Sequence, residues 1–184
     1  MEGASFSLIV KDVHNGETVF AYDTLRQLTP ASVMKTVTTA TALEILGEDY
    51  RFPTTLAYDG SIEKGLLKGN LYIKGSGDPS LGSAHFAPYH KRFLQDWISA
   101  LKKVGIHKIQ GAVIADESIF DTEGTSFKWV GEDMGSYYGA GSYGLCVFDN
   151  LYKLGLQTGA PGSRPKLKGT EPELSGIHFH NYLT

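Results

Sequence analysis

The sequence predicts an α+β protein on three observations. A β-hairpin pattern opens the chain, a helix with a marked start and stop follows it, and an amphipathic helix lies between runs of short strands. Residues 5–22 carry the hairpin. Ser5-Phe6-Ser7-Leu8-Ile9-Val10 leads into Asn15-Gly16, a strong short-range turn signal, and Thr18-Val19-Phe20-Ala21-Tyr22 returns. The helix over 31–46 has Thr29 at its N-cap, Pro30 at its first position and Gly47 as its stop. It holds Thr36, Thr38, Thr39 and Thr41, which are mediocre helix formers, and few charges. A helix that is apolar or small on most sides is stabilised by burial in a larger body, not by its own propensity.

From 52 to 74 the pattern changes to short strands, with turns at Asp59-Gly60 and Gly69-Asn70. Gly75-Ser76-Gly77-Asp78-Pro79 reads as a loop. Residues 89–104 form the clearest amphipathic helix. Phe93, Leu94, Trp97, Ile98, Leu101 and Val104 make its apolar stripe, Lys91, Arg92, Asp96, Lys102 and Lys103 its polar face, and Gly105 its end. Packing through Trp97, Ile98 and Leu101 is expected. Residues 109–115 read as a buried strand and 121–144 as a long glycine- and aromatic-rich loop. Residues 147–157 and 177–183 read as strands joined by a Gly/Pro-rich connection at 159–172. The alternating run Ile177-His178-Phe179-His180-Asn181-Tyr182-Leu183-Thr184 reaches the last residue without a closing turn, which reads as a fragment cut inside a strand.

Composition excludes several classes. Seventeen Lys+Arg against twenty Asp+Glu give a net charge of −3, without the basic excess of a phosphate-neutralising nucleic-acid binder. A single cysteine excludes an internal disulfide framework and a cysteine-based zinc site. No apolar run approaches the roughly 20 residues of a membrane-spanning helix, and Met1-Glu2-Gly3 opens onto a strand pattern with no signal peptide.

Ser-x-x-Lys is the serine–lysine signature of penicillin-recognising acyl transferases. Four such pairs occur: Ser32/Lys35, Ser61/Lys64, Ser99/Lys102 and Ser163/Lys166. Ser61 and Ser163 lie in turn-like segments, and Ser99/Lys102 lies on the solvated face of the amphipathic helix. Ser32/Lys35 stands in the first turn of the capped helix, where i and i+3 side chains share a face and free N–H groups favour developing negative charge. Few charges surround Lys35, so burial is expected to favour its neutral form as a base for Ser32. At this level the pair reads either as nucleophile and base or as a capping serine beside a snorkelling lysine.

Three blocks carry a family resemblance. Thr29-Pro30-Ala31-Ser32-Val33-Met34-Lys35-Thr36, with the hairpin before it and Ala42-Leu43-Glu44-Ile45-Leu46-Gly47 after it, resembles the nucleophile helix of the D-alanyl-D-alanine carboxypeptidases of peptidase family S13, the low-molecular-mass class C penicillin-binding proteins. The segment 65–81, Gly65 through Leu81, resembles a glycine-rich segment particular to that family. The third block is 111–120, with Trp129, Asp133-Met134 and Asn150 beyond.

The resemblance implies that residues 1–51 are the N-terminal part of a β-lactamase/transpeptidase-like domain and that 52–184 belong to a strand-rich inserted domain. It implies Ser32 as nucleophile and Lys35 as base of a D-Ala-D-Ala carboxypeptidase/endopeptidase acting on peptidoglycan stem peptides. β-Lactams are the implied inhibitors, no metal or organic cofactor is needed, and the location is periplasm or cell envelope. Asp133 is implied as the carboxylate meeting the side-chain ammonium of the stem peptide's diamino acid, with Tyr138 walling that pocket; the alternative is that Asp133 caps a turn.

The sequence departs from the family pattern in having no Ser-x-Asn and no Lys-Thr-Gly. In the family both lie beyond the insertion, so the 184 residues alone are expected to be nearly inactive. Two other readings stay open, a non-catalytic peptidoglycan- or envelope-binding module and a related serine–lysine hydrolase of β-lactamase or esterase type. Ser-x-Asn and Lys-Thr-Gly downstream in the gene would separate the first from the carboxypeptidase. Gly75-Ser76-Gly77 lacks the lysine of a phosphate loop, His178 and His180 have no evident third metal ligand, and Cys146 reads as a small buried residue.

Overall fold

The computed structural model describes residues 3–86, 92–121 and 123–183. It is a mixed α+β structure with few helices and several small sheets, in two compact units, Met1–Arg51 and Phe52–Thr184.

In the first unit, β1 (Leu8–Lys11) and β2 (Thr18–Tyr22) pair antiparallel with Ile9 opposite Ala21, and a register shift at Val10/Lys11. The connection is longer than a two-residue turn. Asp12 Oδ1 accepts the His14 N–H at 2.8 Å, and Gly16, at φ 76°, donates its N–H to the Asp12 carbonyl at 2.9 Å. Helix α1 (Met34–Leu46) follows a 3-10 turn, Ala31–Val33. The expected Thr29 cap is not made, since no side chain caps either start. Ala31 takes φ 45°, which breaks the helical path between Pro30 and Ser32. The α1 threonines turn inward on their own helix: Thr38 Oγ1 donates to the Met34 carbonyl at 3.3 Å and Thr39 Oγ1 to that of Lys35 at 2.8 Å. Gly47, at φ 80°, ends the helix. None of this unit's described residues is buried, so Val19, Phe20, Val37 and Ile45 all remain open to solvent.

The second unit has two three-stranded sheets and a hairpin. Strand β6 (Leu71–Lys74) lies between antiparallel β3 (Thr55–Tyr58) and parallel β8 (Val113–Asp116), with Ile73 opposite Leu56 and Ala115. Strand β5 (Leu66–Lys68) lies between antiparallel β4 (Ser61–Glu63) and parallel β7 (Lys108–Ile109). Helix α2 (Phe93–Lys103) lies in the chain between the members of both parallel pairs, as parallel pairing requires. The single strand expected over 109–115 is therefore two, parted at Gln110–Ala112 and sent to different sheets. A side chain at Gly111 would strike the Gly69 carbonyl there. That strand is not buried either, since Val113 is exposed.

Among the described residues the buried apolar core is small: Leu67, Leu71, Leu81, Phe93, Ile106 and Cys146. Phe93 meets Trp97 edge-on at 4.9 Å between centroids and Phe148 at 5.7 Å. Helix α2 thus packs along Phe93, Trp97 and Leu101, spaced i, i+4, i+8. Ile98, expected in that stripe, sits one 100° step off it and is 50% exposed. Residues 87–91, including the expected helix start at 89 and Lys91, lie outside the described residues.

Toward the C-terminus, β9 (Lys153–Gln157) and β10 (Lys166–Glu171) form an antiparallel hairpin. Two expectations are corrected here. Residues 147–152 are not strand, because the turn Phe148–Asn150 takes three consecutive positive φ angles. The strand expected at 177–183 is absent, and the partner of β9 comes from the stretch expected to be a connection, where Gly169 and Pro165 dilute the strand signal of Lys166-Leu167-Lys168. Among the described residues no helix is long and apolar enough to cross a membrane.

Candidate active site

Ser32 lies in the 3-10 turn and Lys35 is the second residue of α1. The turn-to-helix junction keeps i and i+3 on one face, and Lys35 Nζ donates to Ser32 Oγ at 3.3 Å. Of the four Ser-x-x-Lys pairs, this one alone has a serine–lysine hydrogen bond among the described residues. Ser61 Oγ turns to Glu63 at 3.4 Å and Ser163 Oγ to the Ala160 carbonyl at 2.6 Å. The approach to Ser32 is strained, because Ala31 holds a left-handed φ that L-residues other than Gly, Asn and Asp seldom adopt. Nothing in the sequence marks that strain. Ser32 and Lys35 are exposed, so the sheltered surroundings expected for Lys35 are not supplied by the described residues of this unit. An amine one hydrogen bond from a hydroxyl can take the hydroxyl's proton once the amine is neutral, which makes the oxygen a nucleophile.

Asp133 and Tyr138 belong to the second unit and sit on two successive 3-10 turns, Gly131–Asp133 and Tyr137–Gly139. The Tyr138 hydroxyl donates to Asp133 Oδ1 at 3.2 Å. The Asp133 side chain therefore has a tyrosine hydroxyl as a hydrogen-bond partner within its own loop. Its backbone carbonyl accepts the Ser136 N–H at 2.9 Å, and the Gly139 N–H donates to the Ser136 carbonyl at 2.9 Å. Gly139 is buried hard against the Asp133 carbonyl, where no side chain would fit. Tyr137 stands edge-on to Tyr138 at 5.2 Å, and both rings are exposed. A half-buried carboxylate beside an exposed ring can pair with an ammonium while the ring covers an aliphatic stem.

The remaining candidates are structural. Asp78 Oδ1 accepts both the N–H and the hydroxyl of Ser80, the Gly77 N–H donates to the Gly144 carbonyl at 2.7 Å and Asp78 bridges Leu145, so the 75–79 segment is a loop pinned to residues 144–145. Cys146 is buried, with its thiol donating to the Tyr143 carbonyl at 3.2 Å. His180 stacks on Tyr182, off any strand, and among the described residues no three His, Cys, Asp or Glu side chains group to hold a metal ion. The sequence reading attached no role to Asn150, whose side chain bonds the Gly141 carbonyl at 2.8 Å. Its signal was the Asp149-Asn150 pair, two residue types that tolerate left-handed backbone.

Comparison with known proteins adds a family. A family model described as the D-Ala-D-Ala carboxypeptidase 3 (S13) family matches residues 1–182. A D-alanyl-D-alanine carboxypeptidase of Actinomadura sp. (strain R39) is 33% identical over 147 residues, which cover 80% of this chain and 26% of that protein. The D-alanyl-D-alanine carboxypeptidase DacB of Haemophilus influenzae is 29% identical over 133 residues, 72% of this chain and 26% of the relative. The crystal structure of penicillin-binding protein 4 from H. influenzae is similar with a TM-score of 0.72 and 28% identity, over 86% of this chain and 34% of that one. Its complex with a β-lactam gives a TM-score of 0.65 at 26% identity, over 91% of this chain and 32% of that one. The chain thus spans about a quarter of the length of the curated relatives.

Proposed function

The chain belongs to the D-Ala-D-Ala carboxypeptidase 3 (S13) family, and on that premise we propose that it supplies the nucleophile, the base and a substrate-reading loop of a serine-type D-Ala-D-Ala carboxypeptidase/endopeptidase of peptidoglycan. The observation that carries the reading is the 3.3 Å hydrogen bond between Lys35 Nζ and Ser32 Oγ at the start of α1.

In this reading neutral Lys35 takes the Ser32 proton as Oγ bonds to the carbonyl carbon of the penultimate D-Ala. The Ser32 backbone N–H is one donor to the oxyanion. The carbon–nitrogen bond then breaks, the terminal D-Ala leaves with the proton from Lys35, and water hydrolyses the ester on Ser32. A β-lactam acylates the same oxygen by ring opening. No metal or cofactor enters any step. Residues 1–51 are the N-terminal part of the transpeptidase-like domain and 52–184 an inserted domain, a division that suits a helix and hairpin whose apolar side chains find no cover in their own unit. Asp133 pairs with the side-chain ammonium of the stem peptide and Tyr138 walls its aliphatic part. The substrate places the enzyme outside the cytoplasm, in the periplasm or cell envelope.

The test is adduct mapping. Protein expressed from the complete gene is treated with benzylpenicillin, and the peptide carrying Ser32 is analysed by mass spectrometry. A penicilloyl adduct on Ser32 is expected, and an adduct on another serine would overturn the assignment.

A further inference from the structure

Phe148, Asp149 and Asn150 hold φ angles of 53°, 58° and 52°. Three successive non-glycine residues in the left-handed region persist only where surrounding contacts over-determine them. The contacts are present. The Phe148 N–H donates to the Leu81 carbonyl at 2.8 Å, and the Phe148 ring packs on Phe93 and over Gly82, where a Cβ would come within 2.7 Å of it. The Leu151 N–H closes the turn on the Phe148 carbonyl at 3.0 Å.

This turn aims the Asn150 side chain at the stem of the loop that bears Asp133 and Tyr138. Asn150 Nδ2 donates to the Gly141 carbonyl at 2.8 Å and lies 3.2 Å from Cys146 Sγ. The stem is closed by the Ser142 N–H on the Gly124 carbonyl at 2.8 Å, and the Tyr143 ring packs against both Gly124 and Gly141. Two residues before Gly141, Gly139 is packed on the Asp133 carbonyl. The path from Asn150 through Gly141 and Gly139 to Asp133 is therefore continuous.

We propose that Asn150 is a positioning residue for the Asp133–Tyr138 pair: by holding the Gly141 carbonyl it fixes the stem of the 124–142 loop, and with it the place of the carboxylate that reads the substrate's side-chain ammonium. The inference rests on the reading of Asp133 given above. It separates the cost of the strained turn from any fold-wide need. A left-handed Asn at 150 suits the turn and also lets its amide reach Gly141, whereas glycine or aspartate would satisfy the backbone without that bond.

The experiment uses protein expressed from the complete gene, as Asn150→Gly, Asn150→Asp and, in parallel, Asp133→Asn. Two peptides ending in D-Ala-D-Ala are compared, one with a free side-chain amine and one with that amine acetylated. Each Asn150 variant is expected to raise KM for the free-amine peptide about five- to tenfold, with kcat changed by less than about threefold. The preference for the free amine should fall by the same factor. If Asp133→Asn loses the preference while both Asn150 variants keep it, the positioning role is wrong and the reading of Asp133 stands. If Asp133→Asn keeps the preference, that reading falls and the inference with it. An equal loss on both peptides in the Asn150 variants would mark a merely structural residue and overturn the proposal. Should Asn150→Gly fail to fold, Asn150→Asp carries the same comparison.

Discussion

Lys35 Nζ lies 3.3 Å from Ser32 Oγ across the junction of a 3-10 turn and α1. The two side chains share a face because their backbones are three residues apart, not because surrounding groups press them together. Removing the lysine's ability to take a proton is therefore expected to damage chemistry far more than folding. In protein expressed from the complete gene, Lys35→Arg should slow acylation by a fluorescent penicillin about 100- to 10,000-fold, since arginine stays charged. Ser32→Ala should abolish labelling. Because both positions are exposed in the 184-residue chain, unfolding free energy of that chain should move by no more than about 0.5 kcal/mol. Wild-type acylation rates in Lys35→Arg would remove lysine from the mechanism.

The core of the second unit offers a sharp contrast. Leu67 is fully buried on β5, and Leu67→Ala should cost about 2–5 kcal/mol through lost transfer energy and the cavity left behind. Ile98 is 50% exposed on α2, so Ile98→Ala should cost under about 1 kcal/mol. Both tryptophans, Trp97 and Trp129, lie in this unit, so urea titration followed by their fluorescence reports its unfolding. Equal costs at the two positions would contradict the observed burial.

Local signals were legible where one short stretch decided the outcome. Gly16 turned the hairpin connection and Gly47 ended α1 with the positive φ that glycine permits, and the stripe of α2 followed from its period. The Ser32–Lys35 contact was readable because i and i+3 side chains share a face at a helix start. The signals failed where a distant partner decided. Whether 166–171 or 177–183 pairs with β9 depends on contacts across the fold, and pattern favoured the wrong run. Ile98 and Leu101 look alike in sequence, but Ile98 is 50% exposed and Leu101 half-buried, a difference their shared apolar character does not encode. The bond from Asn150 to Gly141 depends on a left-handed turn that periodicity does not reveal.

Asp59 should make the second unit's stability depend on pH. Its carboxylate accepts the Asn70 N–H at 2.6 Å and the Tyr72 hydroxyl at 2.8 Å, while Asn70 Oδ1 accepts the Ala112 N–H at 2.9 Å. The Asn70 N–H first, then the Tyr72 hydroxyl, hold Asp59 below the ordinary value of 3.8. A depressed folded value means the contribution is full above 3.8 and fades as pH falls through the lower folded value. Tyr72 is raised above 10.0, chiefly by its bond to Asp59, so its contribution is full below 10.0 and fades as pH climbs through the raised value. Urea midpoints by tryptophan fluorescence should fall at both extremes. Asp59→Asn should flatten the alkaline slope and reduce the acid one. Part of the acid slope should remain, because Asp116 is also held low, chiefly by the Ser118 hydroxyl and N–H. Unchanged slopes in Asp59→Asn would refute the assignment.

Acylation by the 184 residues on their own is the most demanding test of how the chemistry is distributed. Ser32 and the lysine proposed as its base are both present, and they already share a hydrogen bond. Nucleophile and base act as part of a unit, however, and removing a single oxyanion donor costs about 100- to 1,000-fold in rate. The 184 residues hold no Ser-x-Asn and no Lys-Thr-Gly, and Lys35 has open surroundings here. The edges of β1 and β2, which pair with no other strand among the described residues, add a second hazard, because a two-stranded hairpin on its own invites association between chains. The purified 184-residue chain should therefore take up a fluorescent penicillin at least about 100-fold more slowly than protein expressed from the complete gene. Light scattering should show it self-associating as its concentration rises. Rapid, stoichiometric labelling of Ser32 in the 184-residue chain would sink the prediction, since the groups that complete the oxyanion site would then have to come from within these residues or from a second copy.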